Sequence, residues 1–211
     1  MRWALEQLTQ PEDIEVVSLA RMKRELREFA SATSRDDDIT SKITAAREWI
    51  EDFTGRILVD ETWRLTIDHT GEFDFSSVDT SRSGVAQPSP NGVYLRRSPA
   101  IAITSIVTVD GDGAETTVDE ADYELRAGDS KWPFVAPVAG TWLGSNMQIT
   151  FRAGFADRTG SPVDDATVVP ARFKEAMILW VKAAYDDEDS ELNMERALAI
   201  AKTLRAQVGF A

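Results

Sequence analysis

Cysteine is absent from this 211-residue chain, and histidine occurs once, at His69. Without thiols there is no disulfide, no thiolate metal site and no cysteine nucleophile, a usage that fits assembly in a reducing cytoplasm. One histidine leaves one candidate for a Ser–His or metal–His arrangement. It stands in a loop region, and the chain has neither a Gly-x-Ser-x-Gly elbow nor a His-Glu-x-x-His helix, so a hydrolase triad is not expected. Phosphate loops of the Gly-x-x-x-x-Gly-Lys type and Gly-x-Gly-x-x-Gly fingerprints are also missing, and no cofactor is expected. No segment reaches the ~18 apolar residues of a membrane helix. Residues 1–20 carry Glu6, Glu12, Asp13 and Glu15, so neither a signal peptide nor a membrane partner is expected.

Positive charge is scarce as well. Lys and Arg number 23 against 36 Asp and Glu, a formal net charge of −13. General nucleic-acid binding depends on clustered cations, and the aromatic residues here are not interleaved with a basic stripe. An acidic surface repels DNA; it serves solvation, and it would equally suit a wall past which DNA slides without sticking.

What is present is core-forming material, with 43% hydrophobic residues and six tryptophans. This length allows one domain, or one domain with an insertion. Residues 39–68 organise the chain. Ile39, Ile43, Ala46, Ile50 and Phe53 recur at helical steps and leave Lys42, Arg47, Glu48 and Glu51 toward solvent. Asp36, Asp37 and Asp38 suit the positive end of the helix dipole, and Gly55 suits a left-handed stop. The period then becomes two: Ile57 and Val59, followed by Trp63, Leu65 and Ile67 alternating with polar residues, predict a strand with one buried face.

Before this stretch, residues 1–17 hold Trp3, Leu5, Leu8 and Ile14 in a polar setting, which suggests an arm packing on a neighbour. Ser18 is an N-cap for a helix whose apolar side carries Leu19, Met22, Leu26 and Phe29, with Lys23 among the residues elsewhere, and residues 31–34 close a helical hairpin. Residues 69–92 predict a long surface loop with a short strand near Phe73 and Phe75. That loop is either a contact loop in an assembly or a tolerated insertion. Strands are expected over 93–95, 101–109, 115–118, 123–125 and 147–155. Asp110-Gly111-Asp112-Gly113 is a hairpin turn rather than a calcium loop, since the later EF-hand ligands are missing. Trp132 and Trp142 lie in a loop bounded by Pro133, Pro137, Gly140 and Gly144, as interface anchors or as lids on the sheet. Val169-Pro170 opens a third helix with Phe173, Met177, Trp180, Val181 and Ala184 on one side. A fourth follows the carboxylates of residues 186–191 and repeats Met194, Ala197, Leu198, Ala201, Leu204 and Val208, with Gly209 as its stop.

The expected fold is therefore α+β: an N-terminal helical hairpin and C-terminal helices bracketing an antiparallel β insertion. Its parts are an arm over residues 1–17, a helical part over 18–56 plus 168–211, and a β insertion with long loops over 57–167. Paired carboxylates at 36–38, 164–165 and 186–189 could hold Mg²⁺ or act as acid and base, but each stands at a helix start or in a connector, where capping and solvation account for it.

The order of several short strings is more specific than any one of them. Val17-Ser18-Leu19-Ala20, Asp36-Asp37-Asp38-Ile39, the run from Ala45 through Trp49-Ile50-Glu51-Asp52-Phe53-Thr54-Gly55-Arg56, and Glu61-Thr62-Trp63-Arg64-Leu65 come first. Arg97-Ser98-Pro99-Ala100-Ile101 with the turn at 109–113, then Asp122-Tyr123, Ile149-Thr150-Phe151-Arg152-Ala153-Gly154-Phe155 and Val169-Pro170-Ala171, follow. Together, over roughly residues 17–185, this order resembles the head-tail connector, or head-completion adaptor, proteins of long-tailed phages and phage-like gene transfer agents. The long loop at 69–92 and the extension at 1–16 depart from the shorter members. The resemblance implies a non-enzymatic virion neck protein, assembled in the host cytoplasm as a homo-oligomeric ring of about twelve copies through head-to-tail contacts. The ring would sit beneath a portal protein, join it to a tail terminator or stopper protein, and surround passing double-stranded DNA. It further implies portal docking by the C-terminal segment, at Leu192, Leu198, Leu204 and Phe210. For subunit contacts the expected residues are Trp3, Phe73, Phe75, Trp132 and Trp142. The rival readings are a carboxylate-dependent hydrolase acting on a sugar or phosphate, and a stand-alone cytosolic binding module.

Overall fold

The computed structural model describes residues 2–9, 15–68, 92–140, 142, 146–155, 169–185 and 189–205. The architecture is α+β, built from helices and antiparallel sheets as expected. Two compact units emerge: a sheet unit of Met1–Gln10 with Glu61–Ala153, and a helical unit of Pro11–Asp60 with Gly154–Ala211.

The helical unit holds α1 (Leu19–Glu25), α2 (Asp36–Thr54), α3 (Ala171–Tyr185) and α4 (Ser190–Leu204). The Ser18 hydroxyl accepts from the Arg21 amide at 3.2 Å and so caps α1. Asp36, Asp37 and Asp38 fill the first turn of α2, and Gly55 at φ 68° ends it by donating its N–H to the Glu51 carbonyl. Ile39, Ile43, Ala46 and Ile50 are buried with Phe173, Ala176, Met177 and Val181 of α3 and Ala201 of α4. Small residues at 197 and 201, one turn apart, let α4 lie close on its neighbours. Trp49 stacks on Phe53 at 5.8 Å and meets Trp180 at 6.4 Å. Full burial of each aliphatic side chain contributes about 1.5–3 kcal/mol. Ile50→Ala is accordingly expected to cost about 2–4 kcal/mol, and the half-buried Trp49→Ala about 2 kcal/mol, in urea unfolding. Unchanged midpoints for both would place the inner side of α2 elsewhere.

Three polar residues that the sequence places off the apolar sides of their helices are instead inside. Arg47 and Glu51 are buried on α2, where the Arg47 guanidinium donates to Glu51 at 3.1 Å and to Glu15 at 3.1 Å. The other Glu51 oxygen accepts from the Leu58 amide at 2.7 Å, tying the residues after α2 back to the helix. Lys23 is the third. Its ammonium donates to the Ala30 carbonyl at 3.3 Å, to the Ala32 carbonyl and to the Asp36 carboxylate at 2.7 Å. That cage reshapes the loop: α1 stops at Glu25, Leu26 is its cap, and Arg27 takes a left-handed φ of 59°. Phe29 therefore leaves the apolar side where helical spacing had put it and is 80% exposed.

In the sheet unit, β1 (Arg2–Gln7), β2 (Glu61–Asp68), β4 (Ala100–Val109), β5 (Glu115–Thr117) and β8 (Asn146–Ala153) form one sheet in the order β1-β2-β8-β4-β5. Every neighbouring pair is antiparallel. Opposite pairs Trp63 and Phe151, Leu65 and Ile149, and Ile67 and Met147 put one side of the sheet inside, while Arg64, Thr66, Gln148 and Thr150 alternate to the other. A second sheet takes β3 (Val93–Tyr94), β7 (Phe134–Pro137) and β6 (Tyr123–Arg126) in the order β3-β7-β6. Residues 2–7, expected within an arm, are thus an edge strand of their own sheet. The strand expected to start at Ile57 starts at Glu61, with Ile57, Leu58 and Val59 buried ahead of it.

Candidate interface surfaces

Two of the described carboxylates that could have made a reactive centre have structural partners. Asp36 takes the Lys23 ammonium and Asp38 takes Lys42 one turn on. Asp110 accepts the amides of Asp112 and Ala114, each at 2.9 Å, which closes the expected hairpin turn between β4 and β5. Among the described residues no group of three or more His, Asp or Glu side chains could hold a metal ion, and no helix is long and apolar enough to cross a membrane. His69, Asp164, Asp165 and the carboxylates at 186–188 lie outside the described residues.

On the sheet unit, Trp3 is 50% exposed on β1, with the Arg96 guanidinium 4.3 Å above its ring. Arg97 sits in the same relation to Trp63, at 4.5 Å, while the Trp63 indole N–H donates to Glu61. Burial lowers the Arg96 guanidinium below its ordinary pKa. Trp132 and Trp142 are both half-buried. Phe73 and Phe75 lie outside the described residues. Leu8, Ile101 and Val138 complete the exposed large apolar side chains of this unit among the described residues.

On the helical unit, the proposed docking leucines do not share a side of α4. Residues six apart on an α-helix are turned by about 120° from one another, so Leu192, Leu198 and Leu204 point three ways. Leu192 is 44% exposed, Leu198 is half-buried, and Leu204 packs against the helical core. Phe210 is outside the described residues. Phe29 was not expected at the surface. The sequence did carry a signal for it: Phe29 opens the uncharged run Phe29-Ala30-Ser31-Ala32-Thr33-Ser34 in a chain that is 28% charged. Its loop is braced by Lys23 from within and by a cluster at its edge, where Arg35 donates to the Tyr185 hydroxyl at 2.8 Å and Tyr185 donates to Glu28. The Tyr185 phenol is raised from its ordinary pKa by burial first and by the Glu28 hydrogen bond second.

No protein-family model matches the sequence, and no curated protein sequence matches it. Solved structures do. A chain in the virion of a native gene transfer agent particle superposes with TM-score 0.70 and 19% identity, over 98% of this chain and 97% of that one. A chain in the neck of an empty gene transfer agent particle, with C6 symmetry, gives TM-score 0.68 and 20% identity over 99% and 98%. For the neck of the native particle, with C12 symmetry, the figures are 0.61 and 19% over 99% and 98%. From end to end, this chain has the fold of a chain found in the neck of gene transfer agent particles.

Proposed function

We propose that this chain is a structural neck adaptor: a ring-forming protein that sits under the portal of a phage or gene transfer agent particle, joins it to the next tail component, and surrounds the channel through which DNA leaves. The observation that carries this reading is the near-complete correspondence with a neck chain, because the whole fold is shared rather than one module. Cyclic symmetry of those necks supports a ring, in which each copy meets its neighbours through two different patches. The net charge of −13 supports a channel role, since an acidic wall holds few phosphates and lets DNA move. No chemistry is assigned to the chain, as among the described carboxylates Asp36 and Asp38 pair with lysines and Asp110 closes a turn.

The test is to mix the purified full-length chain with the portal of its own particle and measure mass by light scattering, followed by imaging of the neck. A portal-bound ring with a copy number of six or twelve is expected. A chain that stays monomeric with portal present would overturn the reading, and turnover of a sugar or phosphate ester lost on removing a carboxylate pair would replace it. Within this reading the exposed end of α4 supplies the portal contact. Leu192→Ala is expected to leave the melting temperature unchanged while weakening portal binding, whereas Leu204→Ala costs about 2 kcal/mol of stability because that side chain packs on the core. Equal portal affinity for wild type and Leu192→Ala would remove α4 from the contact.

A further inference from the structure

The net charge of −13 is not evenly spread along the chain. Residues 18–35 carry five cations against two carboxylates, whereas residues 110–122 carry six carboxylates and no cation. The first stretch is thus an electropositive island in an acidic protein. Its own carboxylates are engaged: Glu25 takes the Lys182 ammonium at 3.0 Å, and Glu28 takes Arg35 and the Tyr185 hydroxyl. Lys23 is buried and bound to Asp36. What remains is Arg21, Arg24 and Arg27, which among the described residues have no ion-pair partner. Arg24 and Arg27 are exposed and Arg21 is half-buried. Steps of three make Arg21 and Arg24 neighbours on α1, and the Arg27 amide donates to the Arg24 carbonyl at 3.2 Å.

The backbone holds this patch out toward solvent. Arg27 keeps its left-handed φ of 59°, uncommon for a residue with a Cβ. The Glu28 amide donates to the Lys23 carbonyl at 2.8 Å and the Ala32 amide to the Phe29 carbonyl at 3.0 Å, while the Lys23 ammonium braces the same loop from within. Phe29, two residues from Arg27, is thereby fixed 80% in water. A phenyl group held there gains nothing from its own core, and an uncommon turn kept by several bonds is the kind of feature that function maintains. Arginine beside an aromatic ring is also the composition of a protein contact.

We infer that Arg24, Arg27 and Phe29, with Arg21 beside them, dock the acidic hairpin between β4 and β5 of a second copy of this chain. Charge complementarity selects that occupant. Asp110, Asp112, Glu115, Asp119, Glu120 and Asp122 are all exposed, and among the described residues they too have no ion-pair partner. All three residues of β5 are exposed, so Glu115, Thr116 and Thr117 offer a surface on which Phe29 can lie. Each copy carries one patch on its helical unit and the other on its sheet unit, the two different surfaces that a head-to-tail ring requires. Copies of like net charge repel except where opposite patches meet, so the pairing also fixes which surfaces come together. Duplex DNA is a poorer occupant, because the net charge repels it and its phosphate exterior gives a phenyl group no apolar cover. The inference rests on the ring reading and names the two surfaces that meet in it.

Charge reversal in the full-length chain is the test. Arg24→Glu with Arg27→Glu reverses the first patch, Asp112→Lys with Glu115→Lys reverses the second, and a chain carrying all four substitutions restores the complement in the opposite sense. These positions are exposed, so melting temperatures are expected to stay unchanged. Association, followed by sedimentation alone and with portal, is expected to weaken about tenfold or more in each reversed pair and in Phe29→Ser, and to return substantially in the fourfold variant. Rings that form equally well with either reversed pair would overturn the docking and leave the ring standing. Loss in both pairs without recovery in the fourfold variant would show that the two surfaces do not meet each other, which also overturns it. Dimers or open chains that depend on both patches, without any ring, would keep the docking and remove the ring. A wild type that does not associate even with portal present would end both. Random duplex DNA that binds the wild type and is released by Arg24→Glu with Arg27→Glu, while self-association persists, would give the patch to DNA instead.

Discussion

Arg47→Met is expected to lower the stability of the protein by about 3–5 kcal/mol, read as a shift in urea or thermal unfolding. Met matches the length of the Arg side chain and fills much of its volume, so little of this comes from a cavity. The cost comes from what is left behind. Glu51 and Glu15 both rely on the Arg47 guanidinium, and the side chains of Arg47 and Glu51 are only 4% and 7% exposed. A buried carboxylate stripped of its cation has lost the Coulombic return on its desolvation, and the Leu58 amide at 2.7 Å offsets only part of that loss. The double variant Arg47→Met with Glu51→Leu is expected to recover a substantial share of the loss, because removing both charges also removes the desolvation cost. A single variant as stable as wild type would show that the guanidinium is dispensable inside the helical unit. A double variant destabilised by the sum of the two single losses would show that Glu51 matters chiefly through Leu58 and not through Arg47.

The same three residues show where sequence patterning stops being informative. The helical period placed Ile39, Ile43, Ala46 and Ile50 inside, and they are inside; Gly55 ended the helix as its left-handed φ requires. Patterning places Arg47, Glu51 and Lys23 off the apolar sides of their helices because it weighs each residue by its own polarity. Their burial depends on partners elsewhere in the chain: Glu15 for Arg47, and the Ala30 and Ala32 carbonyls with Asp36 for Lys23. Pairing across the chain also hid β1, whose complement is β2 and whose own alternation is weak, with exposed Trp3 and polar Gln7 on the same side as Leu5. Strand β7 was hidden for another reason. Phe134, Val135 and Ala136 are all buried, so the period-two signal is missing, and the flanking Pro133 and Pro137 suggested a loop. Among the surface residues, Trp3 and Leu192 were legible as exposed apolar groups. Leu204 was not separable from them, because a leucine stripe looks alike whether it faces the core or a partner. Phe29 was lost to the opposite error, since a buried lysine bent the chain away from the helix that spacing implied.

Gly154→Ala is expected to be the most damaging small substitution, costing about 3 kcal/mol or more in unfolding experiments. Gly154 follows β8 and sits at φ 148°, a conformation that side chains rarely adopt. A Cβ there would lie 2.6 Å from the Asp60 nitrogen, 2.7 Å from the Asp60 Cα and 2.7 Å from the Val59 carbonyl carbon. All three are backbone atoms, so no flexible side chain can move aside, and the two chain segments would have to part. Parting them disturbs more than one contact. Phe155, the next residue, packs on Phe173 at 5.5 Å and lies under the Arg56 guanidinium at 4.9 Å, while Val59 belongs to the helical core. Displacement at Gly154 therefore reaches α3 through Phe155 and the core through Val59. Gly111→Ala is the matched control, since an added Cβ meets nothing within 4 Å there, and it is expected to change stability by less than about 0.5 kcal/mol. Equal unfolding midpoints for the two variants would mean that the chain near Val59 and Asp60 yields to a methyl group. The close approach of these backbones would then not be what fixes the start of the helical unit's second segment.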